Sequence, residues 1–256
     1  MIYGVRSILN KKWFRRLAIA LIWVAVWQAA AFLTESELLL PSPFRVVGRF
    51  FALLSEPLFY RSAGLSLLRI LCGYVAAVLA GTLLAALSAW SPFVKELLAP
   101  LIAVARATPV VSIILLVILW LSKDAVPMFI SFLMVLPMVY ANLFEGIKRT
   151  DVQLLEMAKA FRIGRKKTFS AIYVPSVLPH FLTVCTTGLG FAWKAGVAAE
   201  VLCTPKFSIG ARLYESKLYI ETVDLFAWTL LVILLSLVLE YILKKCLKKL
   251  RKEGRA

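Results

Sequence analysis

Residues 66–90 read SLLRILCGYVAAVLAGTLLAALSAW, twenty-five positions with a single charged side chain, Arg69. A helix needs roughly 20 mostly apolar residues to cross the hydrocarbon core of a bilayer, so this run is long enough to span one. Gly73, Ala77, Gly81, Ala85 and Ala89 recur every fourth residue along it. Such a stripe lets two helix backbones approach closely in lipid, where apolar burial gives no drive to associate. Five further stretches have similar character, at about 17–33, 98–121, 126–147, 177–202 and 225–243. Pro109 and Pro137 fall inside two of them, which membrane helices tolerate better than soluble ones. No ten-residue alternation of apolar and polar residues occurs, so a β-barrel is not supported.

The composition agrees. Of 256 residues, 61% are hydrophobic and 17% charged, against roughly 45–50% and about 25% in globular chains. Disorder fails on hydrophobicity, and four Cys are too few for a disulfide scaffold. The net charge of +16 would suit nucleic acid, but the apolar runs explain the composition better. The expected fold is therefore an all-α membrane protein of six transmembrane helices in one domain, residues 17–243, between basic ends at 1–16 and 244–256.

Basic residues collect on the cytoplasmic side of membrane proteins. With the N-terminus inside, twenty Lys and Arg fall in cytoplasmic segments and seven in outer ones, which puts both termini in the cytoplasm. Arg69, Arg106 and Lys194 remain within the spans. The tail from Lys244 to Arg255 reads as a topology anchor attracted to anionic lipid. The first span could pass for a secretory signal, with Ala29, Ala30 and Ala31 offering a cleavage site. Its long basic flank and the five spans after it favour an uncleaved anchor. Cys72, Cys185, Cys203 and Cys246 have no metal-ligand spacing and are assigned no chemistry. In the outer segment, Leu40-Pro41-Ser42-Pro43 and the pairs Val46-Val47 and Phe50-Phe51 suit either a turn and a short surface helix or an ordinary packed loop.

The fifth span carries two small-residue stripes. Gly188, Ala192 and Gly196 lead to Glu200, and Gly190, Lys194 and Ala198 lie roughly 200° away around the helix. Two small faces imply two close neighbours, so this helix is expected at the centre of the bundle. Lys194 is a candidate for the solute path, since ionisable residues within spans are costly and often functional; pairing or snorkelling is the equal alternative. Glu200, near the outer end, reads as a carboxylate reaching water, with an interhelix or pathway role as the other options. Arg106, just before Thr108-Pro109, is assigned either a hydrogen bond to a Pro-freed carbonyl or a pathway role. His180 stands alone and reads as structural.

Between spans four and five lies a basic loop, 148–176. Thr150 with Gln153 fits a capping box that opens a helix. Leu154, Ala158 and Phe161 then share a face, while Glu156, Lys159 and Arg162 project elsewhere. Gly164 is placed to end the helix in the left-handed conformation. A second amphipathic stretch, Arg165–Tyr173, runs into Val174-Pro175. A loop of this length in a compact protein is usually functional, so it reads as a docking surface or a solvated loop.

From Glu156 to Pro175 the loop resembles the EAA segment of ABC-importer membrane subunits, E-A-A-x3-G-x9-I-x-L-P. The spacing matches throughout. Met157 stands in the first Ala slot, Val174 in that of Leu, and Arg162 in that of Gly. Leu40-Pro41-Ser42-Pro43, Arg106-Ala107-Thr108-Pro109, Gly188 to Trp193 and Ala199-Glu200 look like the nitrate/sulfonate/taurine-type branch of that family. The resemblance implies that Glu156, Met157, Ala158, Lys159, Ala160, Phe161, Arg162, Gly164, Ile172 and Pro175 dock on a separate ATPase subunit. It also implies two permease chains, a homodimer, on two ATP-binding cassette ATPases in a bacterial plasma membrane. An extracytoplasmic binding protein would bring a small polar, anionic solute of the sulfonate, taurine, nitrate or vitamin-precursor class. The chain has no Gly-x4-Gly-Lys-Ser/Thr phosphate loop. ATP and Mg would therefore be bound by the partner, with no cofactor, metal or catalytic residue here. The competing readings are a secondary transporter or channel that needs no ATPase and, ranked last, a membrane enzyme.

Overall fold

The computed structural model describes the backbone of residues 2–253 and the side chains of residues 13–248. The basic ends expected at 1–16 and 244–256 continue α1 and α11 as helix as far as Ile2 and Glu253. The side chains of 1–12 and 249–256 lie outside the described residues. In order, the elements are α1 (Ile2–Leu33), α2 (Pro43–Leu53), α3 (Pro57–Trp90), α4 (Pro92–Ala107), α5 (Val110–Val117), α6 (Ala125–Lys148), α7 (Val152–Ala160), α8 (Arg165–Thr168), a π-turn (Phe169–Tyr173), α9 (Val174–Cys203), α10 (Ile209–Leu218) and α11 (Thr222–Glu253). All are helical.

The chain divides into two compact units. The smaller comprises Met1–Tyr60 with Arg212–Leu231, the larger Arg61–Ala211 with Val232–Ala256. In the smaller unit the Pro-rich segment after α1 forms α2, with Pro43 at its first position, where the missing N–H costs nothing. Val46 and Leu53 are buried and Phe44 and Phe51 exposed, as in an amphipathic helix. Phe50 meets Phe59 edge-on at 6.2 Å, and Phe59 lies 5.5 Å from Trp228. Arg49 donates from Nε and Nη2 to the two carboxylate oxygens of Asp224, at 2.6 and 2.8 Å. That bidentate bond, with Glu56 beside it, raises the pKa of the guanidinium further above its ordinary value.

The larger unit is built on the small-residue stripes. A Cβ on Gly73 would strike the Met128 carbonyl, and one on Gly81 would lie 2.8 Å from Val139 Cβ. Ala77 and Ala85 are wholly buried. The α3 stripe therefore seats α3 directly on α6. On α9, a Cβ on Gly188 would lie 3.2 Å from Val135, and one on Gly196 2.5 Å from Ile70 and 2.6 Å from the Ser131 hydroxyl. Polar bonds join the same helices: Ser131 donates to the Ala192 carbonyl (3.1 Å), Tyr74 to the Cys185 carbonyl (2.8 Å) and Trp193 Nε1 to the Val232 carbonyl (3.0 Å). Ile113, Ile114 and Val117 of α5 join Val126, Ile130, Ala195 and Ala199 in one apolar cluster. Helix α9 thus touches α3, α5, α6 and α11 and is central. Only its first stripe is closely packed. Gly190 and Ala198 are half-buried and Lys194 exposed, so the second stripe does not seat a close neighbour within the described residues.

Among the described residues, five helices are long and apolar enough to cross a membrane, or six if the pair α4 and α5 counts as one. That pair is the expected third span, and it bends by 102° at Thr108-Pro109. Pro109 forces Thr108 into an extended conformation, ψ 128°, and offers no N–H to the preceding turn. Pro137 and Pro179 sit inside α6 and α9, each of which runs on as one helix. The stretch leading into span five also differs from the expectation of separate short helices. From Arg165 it is one helical path into α9, carried by the π-turn. Pro175 cannot bond back to Ala171, and the Val174 N–H reaches Phe169 O instead.

Candidate coupling loop and polar cleft

The loop helix α7 is set by its ends. Asp151, extended, accepts from the Gln153 N–H at 2.8 Å and is the N-cap. The expected cap, Thr150, lies one residue outside the helix; it is buried, and its hydroxyl has no partner. At the other end the Ile163 N–H reaches the Ala158 carbonyl at 2.8 Å and the Arg162 N–H that of Lys159 at 3.0 Å. This is a Schellman closure, which requires a left-handed residue at Arg162, and its φ is 53°. The break therefore falls at the slot where the EAA pattern has Gly, and not at Gly164. Gly164 is extended, φ −64° and ψ 148°, and serves as the residue before α8.

Of the ten residues assigned to docking, Ala158 and Ile172 are buried within this chain. Glu156, Met157, Lys159, Ala160, Phe161, Arg162, Gly164 and Pro175 are exposed. Phe161 is 76% exposed and Met157 45%, so α7 presents apolar side chains outward on a helix held from beneath by Ala158.

The two ionisable residues of α9 have opposite surroundings. Glu200 is fully buried, away from the water expected at the end of the span. Its Oε2 accepts from the Ser66 hydroxyl (2.7 Å) and the Gly210 N–H (3.2 Å). Its Oε1 has no hydrogen bond and faces Arg69 Nη1 at 3.7 Å. Ser66 Oγ in turn accepts from the Ile209 N–H at 2.9 Å. Arg69 also pairs with Asp124 and donates to the carbonyls of Lys206 (3.1 Å) and Phe207 (3.3 Å). The cluster ties α3 and α9 to the start of α10. Arg69 was legible only as a charge in a span; its spacing of three from Ser66 is the signal for this network.

Lys194 opens on a cleft of about 440 Å³ between α9 and α11, lined also by Thr183, Thr186, Thr187, Glu240 and Lys244. Sequence reasoning passed over the threonines, although Thr183 and Thr187 lie eleven and seven residues before Lys194 and share its face. Arg106 donates from Nη2 to the Pro137 carbonyl at 3.1 Å. This is an interhelix bond, but not to a carbonyl that a proline frees, since Pro137 frees that of Leu133. His180 packs against Gly146, where a Cβ would lie 3.0 Å from its ring.

An all-helical chain with five or six helices long and apolar enough to cross a membrane belongs to the class of polytopic membrane proteins. Residues 77–252 match the family described as binding-protein-dependent transport system inner membrane component, and the chain belongs to that family of ABC-importer permeases. Its relatives are of the sulfonate/taurine-type branch. It is 26% identical to the putative aliphatic sulfonates transport permease protein SsuC of Bacillus subtilis, over 84% of this chain and 78% of that one. It is 23% identical to the taurine transport system permease protein TauC of Escherichia coli, over 91% and 86%. With the formylaminopyrimidine transport permease protein ThiX of Halalkalibacterium halodurans it shares 30% identity over 64% and 65%. Its fold is that of a chain in the crystal structure of an amino acid ABC transporter with histidines, with a TM-score of 0.61 at 16% identity, covering 77% of this chain and 94% of that one.

Proposed function

We propose that this permease forms, as one of two identical copies, the path by which a small polar, anionic solute enters a bacterial cell across the plasma membrane. An extracytoplasmic binding protein delivers the solute. Two ATP-binding cassette ATPases, which hold the ATP and Mg, drive its passage. The observation that carries this reading is α7, a capped, outward-facing helix closed by a left-handed residue at the family's Gly slot. ATP-driven closure of the ATPases would draw the two α7 helices together and switch the bundle between inward- and outward-facing states. The names of the relatives, which carry aliphatic sulfonates, taurine and formylaminopyrimidine, suggest the solute class. Lys194 and Arg106 are the pathway candidates that reach open space, both being exposed in the single chain. Glu200 is a candidate only if the outer network opens.

The break between α4 and α5 favours a second reading, because interrupted helices are common in secondary transporters that need no ATPase. Uptake of labelled taurine and of a labelled alkanesulfonate into vesicles holding the permease, its ATPase and its binding protein separates the two. Uptake that needs internal ATP and is lost in Glu156→Lys, with the protein still inserted, supports the importer. Equal uptake without ATP supports the secondary transporter.

A further inference from the structure

We propose that the cleft between α9 and α11 is a solute subsite for an organic monoanion that also carries a hydrogen-bond donor. The inference rests on the permease reading and adds the chemistry of the site. Among the described residues no carboxylate lies within 4.0 Å of the Lys194 ammonium. Across the cleft Glu240 is already matched by Lys244 at 2.8 Å. The cleft thus carries one uncompensated positive charge, and one negative charge on a ligand neutralises it. An unpaired ammonium within a span is costly, which gives an arriving anion a ready partner.

The threonines define the rest of the ligand. Thr183 donates its hydroxyl proton to the Pro179 carbonyl at 2.9 Å, Thr186 to Leu182 at 2.8 Å and Thr187 to Thr183 at 3.1 Å. With these protons committed to the helix, the oxygens that line the cleft are left as acceptors. Acceptors beside a lone cation call for a ligand that is anionic at one end and presents N–H or O–H groups along its length. A bare inorganic oxyanion would fill little of 440 Å³ and leave these oxygens without donors. A hydroxy-substituted sulfonate or carboxylate satisfies both.

Lys194 stands twenty residues after Val174 and nine before Cys203, roughly 30 Å and 14 Å along the axis at 1.5 Å per residue, away from either end of α9. The threonines continue the polar face from Lys194 toward the end of α9 that joins the α7 loop, the direction of a solute leaving the path.

The test places Cys at Thr187 in a chain carrying Cys72→Ser and Cys246→Ser, assembled with its ATPase and binding protein in vesicles. The probes are an anionic and a cationic methanethiosulfonate, the sulfonatoethyl and trimethylammonioethyl reagents, with rates scaled to those for free 2-mercaptoethanol. The expected result is an anionic preference of about ten-fold that disappears in Lys194→Gln. Millimolar 2-hydroxyethanesulfonate should slow the labelling more than ethanesulfonate, which lacks the donor. Labelling by neither reagent means that lipid or protein covers the face and overturns the proposal. So do a preference that survives Lys194→Gln and equal or absent protection by the two sulfonates. Taurine uptake by the same vesicles keeps the two levels apart. ATP-independent uptake sinks the importer reading, whereas ATP-dependent uptake with the cleft unresponsive sinks the subsite alone.

Discussion

Lys194 and Glu200 lie on one helix, six residues and roughly 240° apart by the 3.6-residue period, and the protein treats them in opposite ways. Glu200 has no exposed surface and is held by Ser66, the Gly210 amide and Arg69. Lys194 is exposed to a cleft and has no carboxylate partner among the described residues. A charge within a span does not announce its role by type or depth. What separates a structural charge from one free to meet a ligand is whether neighbouring helices bring partners to it.

The sharpest way to break this comparison is to remove the buried member. Glu200→Ala leaves the Ser66 hydroxyl and the Gly210 N–H without their buried acceptor, each at a cost of roughly 1–3 kcal/mol, while Arg69 keeps Asp124. Thermal unfolding in mild detergent should show a correspondingly large drop, together with a loss of inserted protein. A wild-type melting curve would mean that the network is ornamental. The two glycine faces come next. Gly196→Ala drives a methyl to 2.5 Å from Ile70, an overpacking that costs typically about 1–3 kcal/mol. Gly190→Ala meets only Glu240 Oε1 at 3.6 Å and should melt as the wild type does. Equal losses at both positions would restore two close-packed faces.

Smaller effects follow. Arg162→Gly removes a left-handed conformation that costs an ordinary residue about 1–2 kcal/mol, so amide exchange over 158–163 should slow. Faster exchange would mean that the Arg162 side chain itself stabilises the loop. Lys194→Gln should shift unfolding by no more than about 0.5 kcal/mol, because no neighbour depends on it. A shift as large as that of Glu200→Ala would erase the distinction between the two residues.

Much of this was legible in the sequence, and where it was not the reasons are physical. The α3 stripe predicts a close helix neighbour without saying which one; the structure shows it to be α6. The loop helix was legible from its EAA spacing, but its limits were not. Thr150 and Asp151 are both good caps, and only the backbone decides between them. Gly164 was the natural left-handed residue by propensity, yet the Schellman bonds fall two residues earlier, so Arg162 takes the disfavoured conformation. The bend at Thr108-Pro109 was hidden because a proline in a span can be absorbed, as at Pro137, or can break it; hydropathy is the same in both cases. The partners of Glu200 come from α3 and the start of α10, on other helices, and a periodicity argument on one helix cannot gather them.

The central claim is that α7 couples this permease to an ATPase on a second chain. Purification of the tagged chain from its own membranes in mild detergent, followed by mass determination of the intact assembly, tests it most directly. The account predicts two permease copies with two P-loop ATPase subunits, an association lost in Glu156→Lys while the mutant chain still inserts. A bare chain or a permease oligomer that carries solute in ATP-free vesicles would contradict it.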